Sequence, residues 1–379
     1  TFYCLTMRKY KLLYFVSEDE YFLSHKIDQA YSALKKNFEV LVVCNFTRNE
    51  KKIQSHGFKT KHIGINRGSI NPFRELFCII KLFLIIVQFK PDLIQSVALK
   101  PILYTSIISK VFRKPKMIFC VVGLGYVFIS KKISSKILKF TYLSLINIFL
   151  KKIKVFFIFQ NKEDELIFKN NKITKFAKTT VIYGSGVDTD LFKRKKTKKI
   201  YDIIFHSRVL YDKGILELIN AVKEIRKTEK ISVLILGNPD KQNRASVKVS
   251  LLEQWQNEKL IIWKGKKKNV LPYIQRSKIA VLPSYREGLP KNLLEAASCE
   301  LPIITTDVVG CREICRNNFN GQLVPAKNYI RLSKAIEKIL NNPKLLNFYG
   351  KNGRKLVLEK FSTKIIVKKF LKVYDELLL

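Results

Sequence analysis

Short runs of aliphatic and β-branched residues alternate with helical patterns along almost the whole chain, and this alternation restricts the fold more than any other feature. In the first half the runs are Leu12–Val16, Val40–Cys44, Leu93–Ser96, Met117–Val121, Val155–Phe159 and Thr180–Tyr183. Runs this short and this continuously apolar suit strands buried on both faces, as in parallel sheets. Helical patterns fill the gaps, at Leu23–Lys36, Pro72–Phe89, Pro101–Phe112, Ser134–Lys151 and Lys162–Lys169. Six strands with helical connections predict one doubly wound domain.

After Asp190-Leu191-Phe192 comes Lys193-Arg194-Lys195-Lys196-Thr197-Lys198-Lys199, charged and without an apolar stripe, which reads as a surface linker. A second series then runs through Tyr201–His206, Val233–Leu236, Leu260–Trp263, Ile279–Leu282, Ile303–Thr305 and Gly321–Val324. Its helices are predicted at Ile215–Thr228, Asn292–Cys299 and Tyr329–Leu340, followed by Leu345–Glu359 and Thr363–Leu377. Ile215, Ile219, Val222 and Ile225 recur at helical spacing, so that helix lays one face on its sheet. With 379 residues and 47% hydrophobic content the chain has material for two cores. The expected domains are 1–192, a basic linker 193–199, and 200–362, with 363–379 as a final helix.

Lys+Arg 71 against Asp+Glu 30 gives a net charge of +41. Such a charge suits nucleic acid or an anionic membrane surface. The lysines are scattered, the aromatics sit in apolar runs, and no nucleic-acid module is present, so nucleic acid is not expected as a partner. An anionic membrane surface is. The longest apolar runs, around Leu82–Gln88 and over Ile137–Leu150, fall short of a spanning helix, so no transmembrane segment is expected. Arg8, Lys9 and Lys11 before Leu12–Val16 resemble a signal peptide only superficially, because the apolar run is too short. Seven cysteines without CxxC spacing, mostly in apolar contexts, predict reduced thiols in a cytoplasmic protein. Cys311 and Cys315 are four apart but have no His neighbour, so no metal site is expected there.

The chemistry is concentrated in Tyr285-Arg286-Glu287-Gly288-Leu289-Pro290-Lys291-Asn292-Leu293-Leu294-Glu295. Glu287 lies in a Gly/Pro-marked loop after an apolar strand, and Glu295 falls about one turn into the helix that Pro290 is placed to start. Both carboxylates can point into one crevice beside the amides of a helix N-terminus, a natural place for diphosphate. Carboxylates for sugar hydroxyls beside amides for phosphate describe a nucleotide-sugar site. Arg208 follows a strand directly and Lys213 precedes the helix that starts near Gly214, which places both at the carboxyl edge of the second sheet. They can neutralise a departing diphosphate.

These segments resemble the retaining, nucleotide-sugar-dependent glycosyltransferases of family 4. Further carriers of the resemblance are Ser207-Arg208-Val209-Leu210-Tyr211-Asp212-Lys213-Gly214 and Pro302-Ile303-Ile304-Thr305-Thr306-Asp307-Val308-Val309-Gly310-Cys311-Arg312-Glu313. In the first half, Phe22-Leu23-Ser24-His25-Lys26, Val97-Ala98-Leu99-Lys100-Pro101 and Gly123-Leu124-Gly125-Tyr126-Val127-Phe128 look like a bacterial subgroup acting on lipid-linked precursors of surface polysaccharide. The resemblance implies an α/β chain of the GT-B fold, two Rossmann-like doubly wound domains facing each other across a cleft, with the last helix crossing back to the first. It implies a hexosyltransferase that uses a UDP-sugar and retains configuration by front-face attack, the departing phosphate taking the acceptor proton. No cofactor or metal is required. The acceptor is expected to be a polyprenyl-diphosphate-linked saccharide, at the inner face of the cytoplasmic membrane.

Residue by residue, the resemblance gives Glu287, Arg208 and Lys213 catalytic roles and Glu295 the ribose hydroxyls. Many members have Gly where Pro290 stands, and Pro offers no N–H. Backbone contacts to the donor then fall to Gly288, Leu289, Lys291 or Asn292. Gly310 is expected to border the acceptor or the base. His25, with Ser24 as N-cap of the helix it opens, is expected to touch acceptor or donor. Lys100, after strand Leu93–Ser96, could meet an acceptor phosphate, and Gly123 and Gly125 form a loop facing the cleft. Two other readings remain: a UDP-sugar 2-epimerase of the same fold, and a noncatalytic basic adaptor for membrane or nucleic acid.

Overall fold

The computed structural model describes residues 9–378 apart from 67, 70, 113, 125–127, 129–131, 241, 242 and 244. The chain divides into two compact units, Thr1–Ser185 with Val367–Leu379, and Gly186–Ile366. Residues 193–199 lie inside the second unit and are not a free connection between units. Thr197 Oγ1 and Lys199 Nζ donate to Gln275 O, and Gln275 Nε2 donates to Lys193 O.

The first unit holds a seven-stranded sheet of β1 (Tyr10–Glu18), β2 (Phe38–Asn45), β3 (Lys59–His62), β4 (Leu93–Val97), β5 (Lys116–Val121), β6 (Phe156–Phe159) and β7 (Lys178–Val181). Their order is β3-β2-β1-β4-β5-β6-β7, every neighbouring pair parallel. Leu12 to Val16 at the centre are fully buried, as an all-apolar strand covered on both faces must be. The edge strand β3 was not expected. Lys59-Thr60-Lys61-His62 has no apolar residue, and its strand character comes from pairing with β2 at a solvent-facing edge.

Helix Pro72–Phe89 begins with a capped turn, Asn71 Oδ1 accepting from Phe73 N and Arg74 N with Pro72 next in line. Helix Ile133–Leu150 is long and apolar enough, by length and composition, to cross a membrane, which the shorter run read from sequence did not suggest. Leu143, Ile146 and Leu150 nevertheless sit in the core with Met117 and Phe157, and Tyr142 OH donates to Leu99 O. That side of the helix belongs to the layer covering the sheet. The last helix, Thr363–Leu378, buries Phe370 and Tyr374 in the first unit, where Tyr374 OH lies 2.7 Å from Tyr14 OH and donates to Gln95 Oε1 at 2.5 Å.

The second unit holds a six-stranded parallel sheet of β8 (Tyr201–His206), β9 (Val233–Leu236), β10 (Ile262–Trp263), β11 (Ser277–Leu282), β12 (Ile303–Thr306) and β13 (Gly321–Val324). The order is β10-β9-β8-β11-β12-β13. Connections run outward in opposite directions from β8 and β11, so the sheet has its switch point between those two strands, and their carboxyl ends open a crevice. Ile215, Ile219, Val222 and Ile225 of helix Ile215–Ile225 are buried at the helical spacing seen in the sequence, with Leu218 and Ala221 beside them.

Candidate functional site

The crevice at the switch point is built from four loops that leave the carboxyl ends of β8, β9, β11 and β12. After β8 the chain makes a short 3-10 turn, Tyr211–Lys213, and Gly214 then starts the next helix at φ 73°. Only glycine fits there, because a Cβ would lie 2.0 Å from Pro283 O of the loop after β11. This close approach brings Lys213 beside Glu287. Lys213 Nζ and Glu287 Oε1 are 2.5 Å apart, with the side chains 15% and 11% exposed. The two loops are also joined through backbone, Tyr285 N and Ser284 Oγ both donating to Asp212 O.

The loop carrying Glu287 is braced from beneath by the turn after β12. Glu287 N donates to Val309 O at 3.1 Å. Gly310, at φ 79°, packs so closely that a Cβ would lie 2.5 Å from Glu287 O and 2.7 Å from Gly288 O. Gly310 was expected to border acceptor or base; in the structure it supports the backbone that presents Glu287.

Helix Lys291–Ser298 follows, with Pro290 as its N-cap rather than its first residue. Glu295 lies one turn in. Its Oε2 is 3.3 Å from Nε2 of His206, the last residue of β8, outside hydrogen-bond geometry, and the two side chains are 15% and 7% exposed. Asn292 Nδ2 donates to His206 O at 2.8 Å, tying the start of this helix to the end of β8. Gly288, Leu289 and Lys291 are half-buried in the same turn. Arg208, two residues past His206, donates from Nη1 to Asp240 Oδ2 at 2.7 Å, its partner coming from the loop after β9.

One carboxyl stands apart electrostatically. Asp212 is raised from its ordinary value, by burial first and by Glu287 in addition, against the pull of Lys213 and Arg208. Its Oδ1 is buried with no hydrogen-bond partner. Tyr285 OH donates to Glu217 Oε1 at 2.6 Å, and burial together with that carboxylate pushes the phenol upward.

Lys213, Glu287, Arg208, Glu295 and Asn292, all named from the sequence, lie at one sheet edge in the structure. Sequence reasoning missed Asp240, Asp212, Tyr285 with Glu217, and any role for His206. Position at the end of β8 was the signal available for His206.

The remaining predicted residues lie in the first unit. His25 closes the first helix, Asp19–His25, and does not open one. Ser24 is therefore no N-cap: its hydroxyl donates back to Glu20 O at 2.6 Å, as mid-helix serines do. His25 stacks on Tyr21, ring centroids 4.4 Å apart and 1° from parallel. Lys100 does not present its ammonium to a ligand. Its Nζ donates to Asn66 O, Ser69 O and Glu75 Oε1 at 2.7, 2.8 and 2.9 Å, which engages all three protons and clamps the loop before helix Pro72–Phe89. Gly123 follows β5 at φ 118°. Gly125 lies outside the described residues. A strained residue that the sequence did not flag is Ala98, at φ 78° directly after β4, whose N–H donates to Cys120 O. Among the described residues no group of three His, Cys, Asp or Glu side chains is placed to hold a metal ion.

Two cations and two carboxylates at a switch point can neutralise a doubly charged leaving group and accept hydrogen bonds from neighbouring hydroxyls. Comparison with known proteins agrees with that chemistry. Residues 187–356 match the model of the glycosyl transferases group 1, and residues 11–161 match the glycosyl transferase 4-like model. The N,N'-diacetylbacillosaminyl-diphospho-undecaprenol alpha-1,3-N-acetylgalactosaminyltransferase of Campylobacter jejuni is 27% identical, over 94% of this chain and 98% of its own. The UDP-Gal:alpha-D-GlcNAc-diphosphoundecaprenol alpha-1,3-galactosyltransferase of Escherichia coli is 24% identical over 81% of this chain and 80% of its own. Among solved structures, Anabaena HepE in complex with UDP and glucose superposes with a TM-score of 0.79 at 16% identity, covering 97% of this chain and 100% of that one. Two parallel sheets, one matched family domain on each and the crevice at β8 and β11 lead to one assignment: the chain belongs to the GT-B glycosyltransferases that join a 4-like N-terminal domain to a group 1 C-terminal domain.

Proposed function

We propose that the protein moves a hexose or N-acetylhexosamine from a UDP-sugar to a polyprenyl-diphosphate-linked saccharide, at the inner face of the cytoplasmic membrane, with retention of configuration and without a metal ion. The observation that carries this reading is the Lys213–Glu287 pair at the switch point of the second sheet, with Arg208 and Glu295 on the same edge. The two relatives named above support the acceptor class and, in one case, the uridine donor.

In this reaction the bond from the anomeric carbon to the diphosphate oxygen breaks and a bond to the acceptor oxygen forms. The acceptor proton passes to the departing diphosphate. Lys213 and Arg208 offset the charge that develops on that diphosphate. Both cations are paired with carboxylates, so the arriving phosphates share or displace Glu287 and Asp240. Glu287, released from part of its ion pair, turns to a donor-sugar hydroxyl. Glu295 accepts from the ribose hydroxyls.

A panel of UDP-sugars with a polyprenyl-diphosphate saccharide acceptor tests the reading. One UDP-sugar is expected to give product in the presence of chelator. Glu287→Ala is expected to lower turnover by about a hundredfold or more while the protein stays folded. Wild-type turnover in that variant would remove the proposed role, and conversion of UDP-N-acetylglucosamine to another UDP-sugar without acceptor would identify an epimerase.

A further inference from the structure

Two helices of the first unit carry apolar faces that their own sheet does not use. On helix Pro72–Phe89, Cys78, Leu82, Ile85 and Ile86 turn into the core. Phe73, Leu76 and Phe77 on the same helix are exposed, Phe73 at 83% and Phe77 at 65%. Helix Ile133–Leu150 repeats the pattern, with Leu143, Ile146 and Leu150 inside and Ile133, Ile137 and Phe140 exposed at 75%, 60% and 73%. The spacing of Ile133, Ile137 and Phe140 makes one stripe on a helix. Large apolar side chains grouped in this way mark an interaction surface, whereas scattered ones do not.

Both helices lie in one layer. Each packs on helix Leu99–Ile108 and the turn after it: Phe83 lies 5.1 Å from Phe112, centroid to centroid, and Tyr142 OH donates to Leu99 O. Exposed apolar residues continue along both helices, at Ile80, Leu84 and Val87 and at Leu138 and Ile148, but the two most exposed on each sit toward the same end. Lys100, just past β4, grips Glu75 in the first turn of Pro72–Phe89, which fixes that turn at the carboxyl edge of the sheet. Tyr142 is level with Leu99 at that edge, so the residues before it carry helix Ile133–Leu150 about 10 Å further out.

Charge decides what such a surface meets. Between Asp92 and Glu163, a stretch that includes helix Ile133–Leu150, the sequence has no Asp or Glu and thirteen Lys or Arg, and helix Pro72–Phe89 before it carries Arg74 and Lys81 with one acid, Glu75, which is paired with Lys100. The basic density there is that of the whole chain. What distinguishes the stretch is the missing acid, where a chain with 30 acidic residues in 379 would ordinarily place several. A basic apolar face repels a second copy of itself and is attracted to anionic phosphates over a hydrocarbon interior.

We infer that this layer is the face by which the protein lies on an anionic lipid bilayer, with Phe73, Phe77, Ile137 and Phe140 entering the headgroup boundary and the neighbouring lysines at phosphate level. The inference rests on the proposed lipid-linked acceptor for its purpose, since it holds the carboxyl edge of the first sheet at the surface from which such an acceptor arrives. Its physical basis is independent of catalysis.

The test is co-sedimentation of the full chain with vesicles of phosphatidylglycerol and phosphatidylcholine in equal parts, and with vesicles of phosphatidylcholine alone. Wild type is expected to bind the mixed vesicles at least about tenfold more tightly, each basic residue near an anionic surface contributing. The combined variant Phe73→Ser, Phe77→Ser, Ile137→Ser, Phe140→Ser is expected to lose at least tenfold in binding to mixed vesicles. Its Tm and UDP affinity should match wild type, and Phe140→Ser alone, at a position 73% exposed, provides the same comparison should the combined variant not fold. Unchanged vesicle binding in either variant, or none by wild type, overturns the inference. So does a wild-type dimer that the variant turns monomeric with vesicle binding intact, since a second copy would then be the occupant. Vesicle binding that follows the prediction in a protein that does not bind UDP would leave this surface standing and count against the donor site instead.

Discussion

Asp19 is a buried carboxylate whose position is set almost entirely by amides. Its Oδ2 accepts from the N–H groups of Thr47, Arg48 and Asn49 at 3.0, 3.1 and 3.0 Å, and its Oδ1 from Thr47 Oγ1 at 3.1 Å. Burial works to raise this carboxyl, but the amides of Thr47, Asn49 and Arg48 and the Thr47 hydroxyl outweigh it and hold it below its ordinary value. Because the folded value is depressed, its contribution to stability is present above the unfolded value of 3.8 and is lost as pH falls through the folded one. Asp19→Asn is therefore expected to cost about 1–3 kcal/mol at neutral pH. Denaturant midpoints of variant and wild type should converge once pH has fallen through the folded value. A gap independent of pH would show that the charge is not what holds the loop. Residues of this kind were not legible in the sequence, because what Asp19 does depends on a loop that begins at Thr47. The same holds for Asp240 and His206 in the candidate site. Glu287 and Glu295 were legible because their spacing and their Gly/Pro surroundings are local. Lys100 shows the opposite error: a lysine at a sheet edge reads as a ligand contact until its three acceptors are seen.

At the scale of elements, the turn after β12 is the part of the site whose role changed most. The sequence showed a glycine after a strand but not that Gly310 lies against the backbone of Glu287 and Gly288. Gly310→Ala introduces both a Cβ at φ 79° and a contact of 2.5 Å with Glu287 O, so the loop must shift. A left-handed backbone alone costs an L-residue about 1–2 kcal/mol. Gly57 supplies the control, since it has φ 85° but its nearest neighbour to an added Cβ is Leu34 Cδ1 at 3.7 Å. Both alanine variants are expected to lose similar stability from the backbone term. Only Gly310→Ala should lower turnover, by about tenfold or more. Equal turnover in the two would separate Gly310 from the site. Elsewhere, elements were read well where local signals agreed: Pro72–Phe89 has its Asn-Pro start, and the twelve apolar or mixed runs named from sequence all fall on strands. Two of the failures have physical causes in the sequence itself. β3 has no apolar residue to announce it, and helix Asp19–His25 starts without a side-chain cap, so the wrong serine was taken for its beginning.

For the molecule as a whole, the two sheets were legible because buried parallel strands leave continuous apolar runs, whereas the division at Ser185 and Gly186 was not. A run of charge looked like a linker, but hydrogen bonds to Gln275 make it part of the second unit. The net charge suggests a partner class without a location, and the location proposed above rests on exposed apolar side chains that only the helices of the structure bring together. The central claim concerns the second unit: one nucleoside diphosphate is held where β8, β9 and β11 end, with Glu295 on its ribose. Calorimetric titration of UDP into wild type and Glu295→Ala tests it most directly. The account predicts saturable binding at one site in wild type and an affinity at least about tenfold lower in the variant, as loss of a charged acceptor for two hydroxyls implies. No binding of UDP by wild type, or the same affinity in both proteins, would contradict it.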